Sequence, residues 1–523
     1  MRLNPFQKVR DFPDKDSDKL TISRKPENSH DFLSMTAIDI LGCQIETGVA
    51  KSQESSVGMK FLVIEPPLNN KEKVAFEIIK KLLMTEMTVS ISGIKDREQA
   101  QRRLKSKISR MVKEYNLNIP QKSLDKIIYY SLRDFVHMGK IEALMRDQMI
   151  EEISCDGVGV PIYIWHREYE SMPTNIVFEN EAELDTFARK LAYVSGKQVS
   201  IADPILDASL PDGNRINLTL GSEITKKGST FTIRKFSTDP ITVIDLIKYG
   251  TMSKEIAAFM WFLVEKRATM IVAGGTASGK TTTLNALSSF ITPGQKVVSI
   301  EDTHELKIPH ENWIPSVSRQ NFTAATKVGE ISQFDLLRAA LRQRPDIVIV
   351  GETRGREANI LFQSMSTGHG GFSSLHADSV EGALARLTSS PMDVPKALIA
   401  NSLDIMTLQL KIKIGDKSVR RIIKVSEIVG LGESNDEIKT NDVFIWDPVS
   451  DKHIFVGKSK TLEKIKHRFG MSDEEIQQEI EIRKDVLDWL VKHDIRDHTR
   501  VNQEIKEFNL NAEKYYERIK VVL

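Results

Sequence analysis

Thr269-Met-Ile-Val-Ala-Gly274-Gly-Thr-Ala-Ser-Gly279-Lys280-Thr281-Thr282 is the stretch that decides the fold of this chain. The apolar run from Met270 to Ala273 is typical of a short buried strand, and residues 284–290 continue as a helix. The positions from Gly274 to Thr281 match G-x-x-x-x-G-K-[ST] at every fixed position. Because strand, loop and helix follow in this order, the stretch predicts a phosphate-binding loop.

The chemistry of phosphate binding explains these residue types. Glycines let the backbone turn tightly and point N–H groups at phosphate oxygens, and a helix that begins near Lys280 adds its positive dipole end. Lys280 supplies a charge for the β- and γ-phosphates of ATP, and the Thr281 hydroxyl is a ligand for Mg²⁺. The predicted nucleotide-binding residues are Gly274, Gly275, Thr276, Ala277, Ser278, Gly279, Lys280, Thr281 and Thr282.

Two acidic clusters follow the loop along the chain. The apolar residues 297–300 lead into Glu301-Asp302-Thr-His-Glu305, and the apolar residues 347–350 lead into Gly351-Glu352. An acid at the carboxyl end of a parallel strand lies where nucleotides bind. Since no aspartate ends the second strand, Glu301 and Glu352 are both candidates for holding Mg²⁺ and for activating water. The sequence leaves open which of them is the general base.

A histidine cluster lies further downstream, in Thr367-Gly-His369-Gly-Gly-Phe-Ser-Ser-Leu-His376. We predict that His376 detects the γ-phosphate through a hydrogen bond, whereas the sequence does not decide between a functional and a structural role for His369. Metal binding by this pair is not expected, because neither a thiolate nor a third ligand is near in the sequence.

Composition excludes several classes of protein. The 523 residues are 40% hydrophobic and 28% charged, which suits a globular protein of two to four domains. The 73 basic and 72 acidic residues leave a net charge of +1, so no nucleic-acid partner is expected. Two cysteines without a Cys-x-x-Cys pair argue against a disulfide framework. Without an apolar run of about 18 residues or a signal-like start, we expect a cytoplasmic protein that attaches peripherally to the inner face of the membrane.

The chain divides into four predicted parts. Residues 1–145 form a mixed, partly mobile extension, and residues 146–237 form an α+β domain. Residues 238–252 are a linker. In residues 253–523, strands alternate with helices up to about residue 410, which predicts a parallel sheet covered by helices, and the C-terminal region is helical.

The basic stretch 97–113 has two interpretations. It is either a surface for acidic lipid or a partner, or the solvated face of a helix that packs Leu104, Ile108 and Met111 inward.

The chain resembles the secretion and pilus-assembly ATPases of the type II/type IV secretion superfamily. The resemblance rests on the phosphate-binding loop, the two acidic clusters and the histidine cluster, at residues 274–282, 301–305, 351–352 and 369–376. Residues 151–157 and 163–173 resemble the archaeal branch of this superfamily. The resemblance covers about 125–430, and it implies a RecA-like P-loop ATPase domain. The predicted fold class is therefore α/β and multidomain, with that domain preceded by an α+β domain and an extension.

The resemblance also implies partners and further site residues. The superfamily is similar to hexameric motors, so we expect a homohexamer that works on a polytopic membrane platform protein. Arg215 and Arg234 are the candidates for contacting the γ-phosphate, and three more arginines precede the second acidic cluster, at positions 338, 342 and 344.

Three hypotheses for the function differ in class. The first is an ATPase that powers a type IV pilus-like filament, an archaellum or protein secretion. The second is a nucleic-acid translocase, which the balanced charge disfavours. The third is a scaffold that binds ATP without turnover, which the intact acidic boxes disfavour.

Overall fold

The computed structural model describes residues 32–520, apart from 53–54, 56, 87–96, 236–239, 320–328, 416 and 434–436. The chain forms two compact units that divide between residues 236 and 237. The predicted boundary at 145/146 lies inside the first unit, because strands from both sides of it share one sheet. The predicted linker begins beside the division between the units. The segment 14–19, which we expect to be mobile, lies outside the described residues.

The first unit is built on one twisted sheet. Its strands are β1 (Phe32–Ile40), β2 (Cys43–Lys51), β3 (Met59–Ile64), β4 (Ile150–Cys155), β5 (Pro161–His166), β6 (Glu170–Val177), β7 (Ile205–Ser209), β8 (Arg215–Thr219) and β9 (Thr230–Arg234). Its helices are α1 (Asn70–Glu86), α2 (Arg97–Glu114), α3 (Gln121–Phe135), α4 (Glu142–Arg146) and α5 (Glu181–Val194). The strand order is β1-β2-β3-β6-β5-β4-β9-β8-β7. Neighbours are antiparallel except β3 and β6, which are parallel.

The basic helix α2 packs as an amphipathic helix. Leu104, Ile108 and Met111 are buried in one apolar core with residues of α1 and α3, as the second interpretation predicts. Long cationic side chains cover the opposite face of α2. This packing explains the apolar spacing of the stretch, and whether the basic face contacts a membrane stays a prediction.

The second unit is built on a mixed sheet. Its strands are β10 (Met270–Gly274), β11 (Val297–Glu301), β12 (Trp313–Val317), β13 (Ile347–Val350), β14 (Gly370–His376), β15 (Ile405–Ile414), β16 (Lys417–Leu431), β17 (Ile438–Asp447) and β18 (Lys452–Phe455). Its helices are α6 (Val243–Lys248), α7 (Lys254–Glu265), α8 (Lys280–Ser288), α9 (Gln333–Ala340), α10 (Glu357–Ser366), α11 (Val380–Thr388), α12 (Lys396–Ser402), α13 (Lys460–Phe469), α14 (Asp473–Lys492), α15 (His498–Leu510) and α16 (Ala512–Lys520).

The order of this sheet is β12-β11-β13-β14-β10-β15-β16-β17-β18. Strands from β12 to β15 are parallel, and β15 to β18 are antiparallel. Alternate residues of β10 enter opposite cores, with Met270 and Val272 on one face and Ile271 and Ala273 on the other. A parallel sheet is buried on both faces in this way because its crossover helices cover both sides. The predicted helix-covered parallel sheet is confirmed.

The helical C-terminal region packs on α7. Arg483 of α14 is buried, forms an ion pair with Glu265 at the end of α7, and lies over the rings of Trp261 and Phe508. Ser253 caps the start of α7, and Ser472 begins a capping box at the start of α14. No helix among the described residues is both long enough and apolar enough to cross a membrane.

Candidate functional site

The phosphate-binding loop has the backbone that its sequence predicts. Strand β10 ends at Gly274, and α8 begins at Lys280. Gly279 precedes the helix with φ of 91°, and Ala277 has φ of 57°. Gly279 has the larger φ, at which a side chain is more strained than at the φ of Ala277, so glycine is favoured at position 279 where the chain enters the helix.

Hydrogen bonds hold the carbonyl groups of this loop. The carbonyl oxygen of Gly275 accepts from the Lys280 ammonium at 2.8 Å and from the Ser278 hydroxyl at 2.9 Å. The carbonyl oxygen of Gly274 accepts from the backbone N–H of Ala377 at 3.2 Å. Because these carbonyl groups are hydrogen-bonded on one side of the loop, its backbone N–H groups lie on the other side. Successive N–H groups that point the same way form an arrangement that binds phosphate.

Gln409 of β15 also contacts the loop, and the sequence did not point to it. Its side-chain amide donates to the carbonyl of Ser278 at 2.7 Å and accepts from the hydroxyl of Thr283 at 2.6 Å. Its backbone oxygen would lie 2.2 Å from a Cβ atom at Gly274, so only glycine fits there. The signal that would find Gln409 is a polar residue within an apolar strand, but its partners are more than 100 positions away.

His376 lies beside the loop. It ends β14, where its register partner on β10 is Gly274. Its Nε2 atom is 2.8 Å from the hydroxyl of Thr276, and its carbonyl accepts from Arg386 at 2.9 Å. His369 precedes the opposite end of β14 and hydrogen-bonds within its own turn to Ser364 and Thr367. The structure therefore brings only His376 to the loop.

Glu301 ends β11 and is buried. Its Oε1 atom accepts from the backbone N–H groups of Glu305 and Leu306, each at 2.9 Å, and Oε2 is 3.4 Å from Nδ1 of His304. Burial raises the pKa of this carboxyl group, and the two backbone hydrogen bonds oppose that rise. Glu301 is thus a fixed acid in a poorly solvated position.

Gly351 lets the Glu301 side chain cross the end of β13. A Cβ atom at Gly351 would lie 3.0 Å from Cγ of Glu301. The next residue, Glu352, pairs with Arg354, with 2.6 Å between Oε2 and Nη2. This hydrogen bond and the charge of Glu352 raise the pKa of Arg354, and burial opposes that rise. The segment that follows Glu352 is held by Glu357, whose Oε1 atom accepts from the backbone N–H groups of Arg354 and Gly355 at 2.7 and 2.6 Å.

The order of strands sets how far each side chain is from the loop. Going outward from β10, the sheet runs β14, β13 and β11. Neighbouring strands lie about 4.8 Å apart, so the ends of these three strands are roughly 5, 10 and 14 Å from β10. All four strands are parallel, so their carboxyl ends share one edge. That edge carries the loop, then His376, then Glu352, then Glu301.

The sequence also matches a known protein family. The family model described as Type II/IV secretion system protein matches residues 136–511. The chain belongs to this family. The predicted resemblance to the superfamily is therefore confirmed, and the α/β fold with a RecA-like second unit agrees with it.

Individual relatives match different shares of the chain. The uncharacterized protein MJ0900 of Methanocaldococcus jannaschii is 36% identical over 471 residues, covering 86% of this chain and 85% of the relative. The type IV secretion system protein PtlH of Bordetella pertussis is 29% identical over 281 residues, covering 46% of this chain and 80% of PtlH. Among solved structures, the VirB11 ATPase of the Brucella suis type IV secretion system is 25% identical, covers 55% of this chain and 95% of its own, and has a TM-score of 0.28.

The candidate arginines lie in both units. Arg215 of β8 and Arg234 of β9 are register partners in the first unit. Residues directly opposite on antiparallel strands project from the same face, so two cations are held side by side. In the second unit, the arginines at 338, 342 and 344 are exposed in or just after α9, before β13. The roles of all five stay predictions.

The residues at the sheet edge suit a magnesium nucleotide. Among residues 32–520 as far as they are described, no group of three or more His, Cys, Asp or Glu is arranged to hold a metal ion. A magnesium ion here would take the Thr281 hydroxyl, carboxylates of Glu352 or Glu301 through water, and phosphate oxygens of the substrate. Mg²⁺ prefers few protein ligands together with water and phosphate, so this donor set fits it.

Proposed function

We propose that this protein is an ATP-hydrolysing motor that powers assembly of, or secretion through, a type IV pilus-like system. One observation carries the proposal: a single sheet edge holds a phosphate-binding loop, a histidine bonded to that loop, and two acids on the next strands. Membership of the type II/IV secretion family supports it.

The loop residues bind the substrate. The N–H groups of residues 275–280 and the dipole of α8 would stabilise the phosphates, and the Lys280 ammonium would neutralise charge on the β- and γ-phosphates. The Thr281 hydroxyl follows directly on the same helix. A magnesium ion, when bound, would neutralise charge that develops on the phosphate oxygens.

Glu352 is the proposed general base. Its strand is the nearer of the two acidic strands to the loop, at roughly 10 Å against 14 Å for that of Glu301. Arg354 holds one oxygen of Glu352 and so fixes the direction of the carboxylate. One carboxylate oxygen of Glu301 accepts from two backbone N–H groups. Glu301 therefore suits a role in stabilising this edge of the sheet and in orienting water near a bound metal ion.

His376 is the proposed detector of the γ-phosphate. Its hydrogen bond to Thr276 links the end of β14 directly to the loop that binds the substrate. A change in the loop on hydrolysis would therefore alter this bond. Arg386 fixes the backbone of His376, so movement of the histidine would be passed to α11.

Arg215 and Arg234 are the proposed cations that contact the γ-phosphate, from the first unit of the same or a neighbouring subunit of a homohexamer. Because the two arginines are register partners on β8 and β9, both can contact the same phosphoryl group. A fixed cation at a phosphoryl group contributes roughly 10³-fold or more to hydrolysis.

Phosphate release tests the activity. We expect the purified chain to release phosphate from ATP with Mg²⁺ and the Lys280→Ala variant to lose this activity. Turnover that persists in the variant would refute the proposed site. Light scattering with and without ATP tests the hexamer, and stimulation by DNA would favour a nucleic-acid translocase instead.

The machine that the motor serves is tested by its partner. We propose a polytopic membrane platform protein of a pilus-like system, with the motor cytoplasmic and peripherally bound to the inner face of the membrane. The experiment is affinity purification from membranes of the source cells. Capture of an archaellum or secretion platform would replace the pilus assignment without affecting the proposed ATPase activity.

A further inference from the structure

Gln409 is a buried polar side chain that the ATPase mechanism above does not use. It lies on β15, next to β10, and is 1% exposed. Both ends of its amide are satisfied, by the carbonyl of Ser278 and by the hydroxyl of Thr283. Thr283 is completely buried in the first turn of α8. Gln409 therefore joins the loop and the helix of the phosphate site to the neighbouring strand.

The bond to Ser278 sets the orientation of one peptide unit. A trans peptide is planar, so its carbonyl and the N–H group that follows point in opposite directions. When the carbonyl of Ser278 is held towards Gln409, the N–H of Gly279 is turned away from β15. Gly279 is the residue that precedes α8 with a left-handed φ, where a free peptide unit has a second orientation available.

The glycines beside Gln409 confirm how close this contact is. A Cβ atom at Gly279 would lie 2.9 Å from Nε2 of Gln409, and one at Gly274 would lie 2.2 Å from its backbone oxygen. The loop is thus packed against this one residue at both of its ends.

We propose that Gln409 is a positioning residue of the phosphate site: it holds the Ser278–Gly279 peptide so that the Gly279 N–H faces the nucleotide phosphates. This inference rests on the proposed function. Gln409 touches no reacting atom, so its removal should weaken nucleotide binding and raise KM, while kcat at saturating ATP changes little.

The experiment compares three substitutions. Gln409→Met keeps the volume and loses both hydrogen bonds. Gln409→Glu keeps the acceptor for Thr283 but presents a carboxylate to the Ser278 carbonyl. Thr283→Val loses only the helix bond and is the matched control. The probe is a fluorescent ADP analogue with Mg²⁺, measured by equilibrium titration, alongside KM and kcat for ATP.

We expect both Gln409 variants to bind ADP at least about tenfold more weakly, because the buried carbonyl of Ser278 loses its donor and the Ser278–Gly279 peptide is no longer held in one orientation. Thr283→Val should stay within about threefold of the unmodified chain. Binding within twofold in Gln409→Met, or an equal loss in Thr283→Val, would overturn the inference in favour of simple packing.

Failure of the proposed function and failure of the inference on Gln409 give different results. If Gln409→Glu does not fold because its carboxylate is buried, Gln409→Met carries the comparison, because it keeps the volume without a charge. If the unmodified chain itself binds no ADP, the proposed function fails. If it binds ADP and the Gln409 variants bind equally well, only the inference on Gln409 fails.

Discussion

Glu352→Gln is the substitution that most directly tests how the sheet edge works. It removes the charge of Glu352 and keeps its shape, so the amide oxygen still accepts from Arg354, which now pairs with Oε2 at 2.6 Å. We expect kcat for ATP to fall by about 10²–10⁴, the usual contribution of a general base. That loss corresponds to roughly 3–5 kcal/mol of transition-state stabilisation.

Nucleotide affinity should hardly change in Glu352→Gln. The end of β13 is roughly 10 Å from the loop strand, and removing a negative charge at that distance is worth about 0.4 kcal/mol in a water-like dielectric. The sign favours tighter ADP binding, by about a factor of two. The folded state should lose at most about 1 kcal/mol, because the ion pair with Arg354 is partly exposed.

The assay is steady-state phosphate release together with ADP titration. Glu381→Gln, an exposed glutamate at the start of α11, is the matched control and should behave like the unmodified chain. Should Glu352→Gln keep more than a tenth of kcat while Glu301→Gln loses it, the assignment of the base would pass to Glu301, and the argument from strand spacing would be wrong.

Three further predictions follow from the second unit. Lys280→Ala should weaken ADP binding by at least about tenfold in the same titration, because it removes a charge-assisted contact; unchanged affinity would contradict the proposed loop. Arg483→Met should lower the free energy of unfolding by about 3 kcal/mol in denaturant titrations, since it leaves the partly buried Glu265 without its partner, and adding Glu265→Met should restore much of the loss. If the double variant is no more stable than Arg483→Met, the ion pair is not the cause. The raised pKa of Glu301 means that the folded state holds its proton to higher pH than the unfolded state, so stability relative to Glu301→Gln should fall as the pH rises above 4.5. If the free energies of unfolding of the unmodified chain and of Glu301→Gln change in parallel with pH, the pKa of Glu301 is not raised by burial.

Much of the second unit follows from local sequence. Alternation of apolar strands and amphipathic helices predicts a parallel sheet, and the glycines with Lys280 predict the loop, because both patterns depend on neighbouring residues only. Strand ends that carry acids predict Glu301 and Glu352 at one edge, since parallel strands place their carboxyl ends together. The capping box that begins at Ser472 is equally local.

Other features depend on strands that meet from distant parts of the chain. The sequence divides the first unit at residue 145, whereas β3 pairs with β6 across that point. It leaves the role of His369 open, whereas the structure places His369 just before β14 and His376 at the far end of that seven-residue strand.

The sequence by itself determined that a phosphate-binding loop motif, two acids at strand ends and a histidine occur in one chain, because each is recognisable from a short run of residues. Only the tertiary structure decided their order along the edge and added Gln409 to the loop. Both depend on which strands lie side by side, and that pairing joins segments that are 23 positions apart between β13 and β14 and 135 positions apart between β10 and β15.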